Sequence, residues 1–235
     1  MKKLAIMQPY FFPYIGYFQL INAVDTFVVY DNIEFTKKGW FNRNRLLLNN
    51  KVEYFTINIK KDSDYLDVRD RVISPVYFEK GMPKILRQIE QSYKKAPFFE
   101  TVFPLIREIF EYREYNLFGY IYHSILRLVH HFGLSTEVLM SSTIPIDHTL
   151  RGKWKIFEIC RCLSAGHYVN PIGGTALYSK SDFLEKGIIL SFISTKPFVY
   201  HQFGDEFVPN LSIIDVMMFN SLERIRTLLD EYELV

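Results

Sequence analysis

The 235-residue chain reads as an α/β protein with a mostly parallel, doubly wound, Rossmann-like sheet and a helical insertion. Three observations carry that reading. The chain opens as strand, loop, helix, strand. Short apolar runs alternate with helix-period segments to the far end, and neither an internal repeat nor a low-complexity linker divides it. One domain spanning 1–235, with the insertion at roughly 78–132, is the simplest organisation at this length.

Each element follows from its pattern. Leu4-Ala5-Ile6-Met7 is an apolar run ending at Pro9, as a buried strand leaving a sheet would be. After Pro13, Ile15, Phe18, Ile21 and Val24 recur at three-residue spacing, the face of a helix over 14–24. Thr26-Phe27-Val28-Val29-Tyr30 is β-branched and aromatic, a second strand. Together these form a βαβ unit, whose crossover is right-handed in nearly all known cases. Val52 to Ile59 alternates and reads as a third strand. Residues 76–93 and 98–132 carry apolar side chains at helical spacing, Val102, Leu105, Ile106, Ile109 and Phe110 among them, and make the helical insertion. Glu137–Ser141 is a strand, Trp154–Leu163 a helix, His167–Asn170 a strand stopped by Pro171, and Ile188–Ile193 a late strand. A single closing helix is expected over 212–232, with Ser212 as its cap and Asp215 at its third position.

Composition excludes several classes. A net charge of +2 gives no global attraction for nucleic acid or an anionic membrane surface. Leu4–Met7 is too short for a signal-peptide core, and no uncharged apolar run approaches the ~18 residues of a membrane span. A cytoplasmic protein is expected. Cys160 and Cys162 stand two apart and suit small buried hydrophobes in a reducing compartment better than a disulfide framework or a zinc site. The sequence assigns no metal and leaves cofactor and oligomeric state open, a homo-oligomer included.

Parallel sheets bind ligands beyond the carboxyl ends of their strands, and three loops meet that condition. In the first, Pro9 and Pro13 fix the backbone around Gln8, Tyr10, Gly16 and Tyr17. Gly16 permits close approach, and the free amides of the following helix suit phosphate or carboxylate. The competing reading makes Tyr10, Phe11, Phe12 and Tyr14 plain core aromatics. The second loop, Asp31 to Arg45, holds two acids, four bases and three asparagines around Gly39-Trp40. Lys38, Arg43 and Asn44 are candidates for an anionic group, Trp40 for stacking, and Asp31 for a general base. A solvated charged loop is the alternative. The third region has Arg151 and Lys153, then His167 as a second candidate base, Asn170 and the pair Gly173-Gly174, which admits tight approach. Neither a dinucleotide nor a Walker fingerprint is present.

These residues, taken together, resemble the WbqC-like family. The resemblance rests on Gln8-Pro9-Tyr10, Pro13 to Phe18, Asp25, Asp31, Lys38-Gly39-Trp40 and Asn42-Arg43-Asn44. Later it includes His167-Tyr168-Val169, Gly173-Gly174, Tyr178, Phe183, Gly187-Ile188 and Pro209 to Asp215. Such proteins are associated with bacterial surface-polysaccharide and O-antigen gene sets, and some carry a glycine-transferase name. The resemblance implies a cytoplasmic group transferase, aminoacyl or glycyl in type, acting on a nucleotide-activated amino sugar. A non-catalytic scaffold of a polysaccharide-assembly complex is the rival, and a nucleic-acid binder built on residues 37–45 is disfavoured by the near-neutral charge. More distantly, Tyr14-Ile15-Gly16-Tyr17 is similar to the HIGH-motif nucleotidyltransferases, where two histidines flank the same x-Gly. Tyrosine donates a hydrogen bond but supplies no imidazolium charge, so the resemblance leaves nucleotide binding open and does not imply adenylyl transfer.

Overall fold

The computed structural model describes residues 1–204 and 206–235. The first half of the chain forms β1 (Lys3–Met7), α1 (Ile15–Asn22), β2 (Thr26–Val29) and the hairpin of β3 (Arg43–Leu48) and β4 (Lys51–Thr56). Three helices follow, α2 (Met82–Tyr93), α3 (Phe99–Glu111) and α4 (Leu117–Phe132). The second half runs β5 (Glu137–Met140), α5 (Gly152–Cys162), β6 (His167–Pro171), α6 (Lys180–Leu184) and β7 (Ile189–Thr195). It closes with α7 (Ile213–Phe219), α8 (Leu222–Leu229) and β8 (Tyr232–Leu234).

Among the described residues the main sheet has six strands in the order β5-β2-β1-β6-β7-β8. All neighbours are parallel except the β7–β8 pair. The sheet is therefore mostly parallel and Rossmann-like. Its two faces follow from the two-residue period of a strand. Ala5, Phe27 and Val29 enter a core with α1, α4 and α8, while Leu4, Ile6 and Val28 enter another with α5 and α6. Burial on both faces is why β1 and β2 read as unbroken apolar runs rather than alternating ones.

Three expectations change in detail. The strand at 52–59 is β4, paired antiparallel with β3 alone in a separate two-stranded sheet. Its partner β3 begins Arg43-Asn44-Arg45, polar residues that hid a strand at the end of the second loop. The helix expected over 98–132 is two, because Tyr112 leaves α3 with ψ 122° and Asn116 starts α4 by accepting from the Gly119 amide at 2.9 Å. The closing helix also divides. Ser212 caps α7 as expected, accepting from the Ile214 amide at 3.3 Å. Asn220 then turns extended (φ −128°, ψ 143°), Ser221 caps α8 through the Arg224 amide at 3.1 Å, and the chain ends as the edge strand β8. Among the described residues no helix is long and apolar enough to cross a membrane.

Candidate functional site

β1 runs to β2 and β5 on one side, and to β6 and β7 on the other. The strand order reverses between β1 and β6, and at such a switch point the loops beyond the carboxyl ends part to leave a crevice. A cleft of about 770 Å³ lies there. Gln8, Tyr10, Tyr14 and Gly16 line it from the first loop, Trp40, Asn44 and Arg45 from the second, and Asn170, Gly173 and Gly174 from the third.

The first loop is bent into place against resistance. Phe12 has φ 46°, a left-handed conformation that costs a bulky residue about 1–3 kcal/mol and persists only where neighbours enforce it. Asn44 supplies part of that enforcement, its Nδ2 donating to the carbonyls of Phe11 at 3.1 Å and Phe12 at 2.7 Å. Ser212 Oγ donates to the Phe12 carbonyl at 2.8 Å, and the Ile213 amide to that of Pro13 at 2.9 Å. Phe11 and Phe12 are wholly buried and stack on Tyr120 and Phe110, so for these two the core-aromatic reading is correct. Tyr10 and Tyr14 are half-buried and face the cleft. Tyr17 is buried behind the wall and donates its hydroxyl to the Gln8 carbonyl at 3.0 Å. Burial raises the pKa of all three tyrosines, that of Tyr10 to about 12, so all are neutral hydrogen-bonding groups. Tyr14 stands at the cap position of α1 without bonding the first turn. A Cβ on Gly16 would collide with the Tyr14 ring and come within 3.0 Å of Thr195 Oγ1. Glycine is what lets that ring lie over the helix start.

The second loop is used differently from its sequence expectation. Trp40 lines the cleft and stacks on Tyr54 at 6.1 Å. Arg43 turns back over the loop, donating Nε to the Gly39 carbonyl at 3.2 Å and Nη2 to that of Lys38 at 2.6 Å, with its guanidinium over both aromatic rings. Lys38 is exposed and neither it nor Arg43 lines the cleft. Arg45 does line it, anchored to the carbonyls of Asn210 at 3.1 Å and Pro209 at 3.3 Å. Asp31 is buried beside the cleft, its Oδ1 accepting from Ser141 Oγ at 2.7 Å and the Ser142 amide at 2.9 Å. That carboxylate ties the end of β2 to the turn after β5.

In the third region Asn170 donates Nδ2 to the Tyr168 hydroxyl at 2.9 Å, and a Cβ on Gly174 would strike its Oδ1. Around a Cβ on Gly173 there is open space. His167 sits at the other end of β6, paired with Lys3 and Ile189 at the amino ends of the sheet, and its Nε2 lies 3.0 Å from Ser191 Oγ. Burial, Lys3 and the N-terminus lower its pKa. Strand direction separates it from the cleft, a distinction that proximity in sequence to Asn170 conceals.

The structure thus brings Gln8, Tyr10, Gly16, Trp40, Asn44, Asn170, Gly173 and Gly174 to one cleft. Tyr17, Asp31 and Arg43 support its walls, and Lys38 and His167 lie apart. Sequence reasoning missed Tyr30, Arg45, Gly152, Tyr178, Thr195 and Asn210, which also line it. Tyr30 and Thr195 could have been found, since each stands at a strand's carboxyl end. Asn210 stood in the C-terminal stretch of the family resemblance without a site role, and Gly152 had no such signal.

Fold and cleft together define a Rossmann-like α/β protein with an open crevice at its topological switch point. The chain belongs to the WbqC-like protein family, matched over residues 8–227. It is 27% identical over 224 residues to a protein of Mycobacterium tuberculosis (strain ATCC 25618 / H37Rv) named "Uncharacterized protein Rv1507c", with 94% of each chain covered. No solved structure matches it.

Proposed function

We propose that the cleft binds a nucleotide-activated amino sugar and that the protein transfers an aminoacyl or glycyl group to it in surface-polysaccharide assembly. The observation that supports this reading is the mixture of groups on the cleft wall. Tyr10, Tyr14, Tyr30, Trp40 and Tyr178 offer ring faces for a base or a sugar, and Gln8, Arg45 and Asn170 offer polar contacts for hydroxyl oxygens. The family's association with O-antigen gene sets supplies the amino sugar. In the transfer, the sugar amine would attack the activated acyl carbon, lose a proton and form an amide, while the activating group leaves with the bonding electrons.

Calorimetry of the purified chain against nucleotide sugars and adenine nucleotides tests the reading. Nucleotide sugars are expected to bind. Gly173→Phe, which grows a ring from an open position on the cleft wall, is expected to abolish binding, and His167→Gln to leave it intact. Silence across both ligand panels would refute the proposal.

A further inference from the structure

The second loop leaves a gap in anion holding, since Arg43 and Arg45 each spend the guanidinium on two carbonyls and Lys38 does not line the cleft. Positive charge without a hydrogen-bond partner lies instead where α5 begins, beside the cleft residues Gly152 and Tyr30. Gly152 lines the cleft with φ 54° and open space around the position of a Cβ. Arg151, at the cap position, is exposed and makes no side-chain bond to the helix turn. One turn on, Lys155 is 1% exposed and its Nζ has no hydrogen-bond partner among the described residues. That ammonium lies 4.8 Å from the centre of the Tyr30 ring, which is itself a wall of the cleft.

Asp67 and Asp31 attract this charge, but neither bonds the Lys155 Nζ. Asp31 is held by Ser141 and Ser142, Asp67 lies 3.8 Å from Arg69, and Asp182 is paired with Lys153. Burial first and repulsion from the nearby Arg151 second lower the Lys155 pKa, and Asp67 and Asp31 offset this only in part. A buried ammonium without an acceptor is strongly unfavourable, and an anion in front of it would relieve both the desolvation and the repulsion. The first-turn amides and dipole of α5 add to the same field.

We propose that the α5 end of the cleft is a phosphoryl subsite, with Arg151 and the amides of the first turn contacting the phosphate and Lys155 supplying charge from behind Tyr30. This assignment rests on the cleft being the ligand site, and it orients the ligand. The diphosphate lies toward Gly152, and the ring system toward Trp40, Tyr10 and Tyr14.

Calorimetry of the full chain with inorganic pyrophosphate tests the subsite on its own. Wild type is expected to bind it. Arg151→Ala and Lys155→Met should each weaken binding by about tenfold, the scale of one charge-assisted contact, while Lys38→Ala should not. Arg151 is exposed, so its variant remains decisive if Lys155→Met melts early. No pyrophosphate binding by wild type, or equal binding by wild type and Arg151→Ala, would overturn the subsite. The same titrations with a nucleotide sugar separate the two claims. Sugar binding that ignores Arg151 and Lys155 removes the subsite and leaves the cleft reading. Pyrophosphate binding that needs both residues, with nucleotide sugars silent, removes the reading and leaves the subsite.

Discussion

Asn44→Ala is the sharpest test of how the cleft is held. The side chain is 5% exposed and donates to two buried carbonyls. Each neutral hydrogen bond contributes about 1 kcal/mol net, and a buried carbonyl left alone costs about 1–3 kcal/mol. Phe12 keeps its bond from Ser212, so only the Phe11 carbonyl is stranded. The sum is about 3–5 kcal/mol by those magnitudes, and falls toward the lower end if the loop relaxes and releases part of the strain at Phe12. Urea unfolding monitored by circular dichroism measures it, and the m-value should stay constant if only the native loop is affected. Asn44→Asp should lose at least as much, because it sets a negative charge against two carbonyl oxygens. A loss below about 0.5 kcal/mol for Asn44→Ala, the range of an ordinary surface change, would refute the claim that this side chain holds the loop. Ligand affinity should fall with stability, since Tyr10 and Tyr14 flank the two pinned residues.

Two further predictions concern the third loop and the buried acid. Gly174→Ala should lower the melting temperature and weaken ligand binding, because its Cβ strikes the Asn170 amide, whereas Gly173→Ala should melt like wild type; equal behaviour of the pair would sink the steric account. Asp215 accepts from Tyr93, Tyr200 and Gln202 at 2.7, 2.6 and 2.8 Å, and burial raises its pKa above the ordinary 3.8. The folded state therefore holds that proton more tightly than the unfolded one, so the stability contributed by Asp215 falls as pH rises from the ordinary carboxylate range through its folded pKa. Asp215→Asn should flatten that part of the stability–pH curve and at neutral pH melt no lower than wild type. A variant that instead loses more stability at neutral than at acid pH would show that the structure favours the charged form.

The parts legible in sequence are those where one local rule decides. The βαβ opening was legible because β1, α1 and β2 each bury a continuous face, and the cleft because ligand sites follow strand ends. What stayed hidden depends on the direction in which a side chain leaves the backbone. Arg43 and Arg45 are two apart on β3, and nothing in their order says that one folds back on Gly39 while the other reaches Asn210. His167 and Asn170 share one short strand, yet only Asn170 stands at the end that opens into the cleft. The hairpin partner β3 was masked by its polar start, because its first three residues work on loop carbonyls rather than on solvent or core. Nothing in the spacing of the helix at 154–163 marks Lys155. Only tertiary packing buries it.

Two of the motifs that carry the family resemblance, at 8–18 and 209–215, work as one device. Little in the C-terminal motif faces the cleft: of the residues from 209 to 215, Asn210 alone lines it. The rest is fastening. The carbonyls of Pro209 and Asn210 fix Arg45, Ser212 holds the strained Phe12, the Ile213 amide holds Pro13, and Asp215 gathers two tyrosines and a glutamine behind them. Serine at 212 meets two demands with one hydroxyl, capping α7 and donating to the Phe12 carbonyl. The pairing of a distinctive N-terminal segment with a distinctive C-terminal one thus has a mechanical origin. A proline-bent loop at a strand end cannot keep its conformation alone, and the residues that enforce it come from about 200 positions later because α7 is the element that packs against the bend.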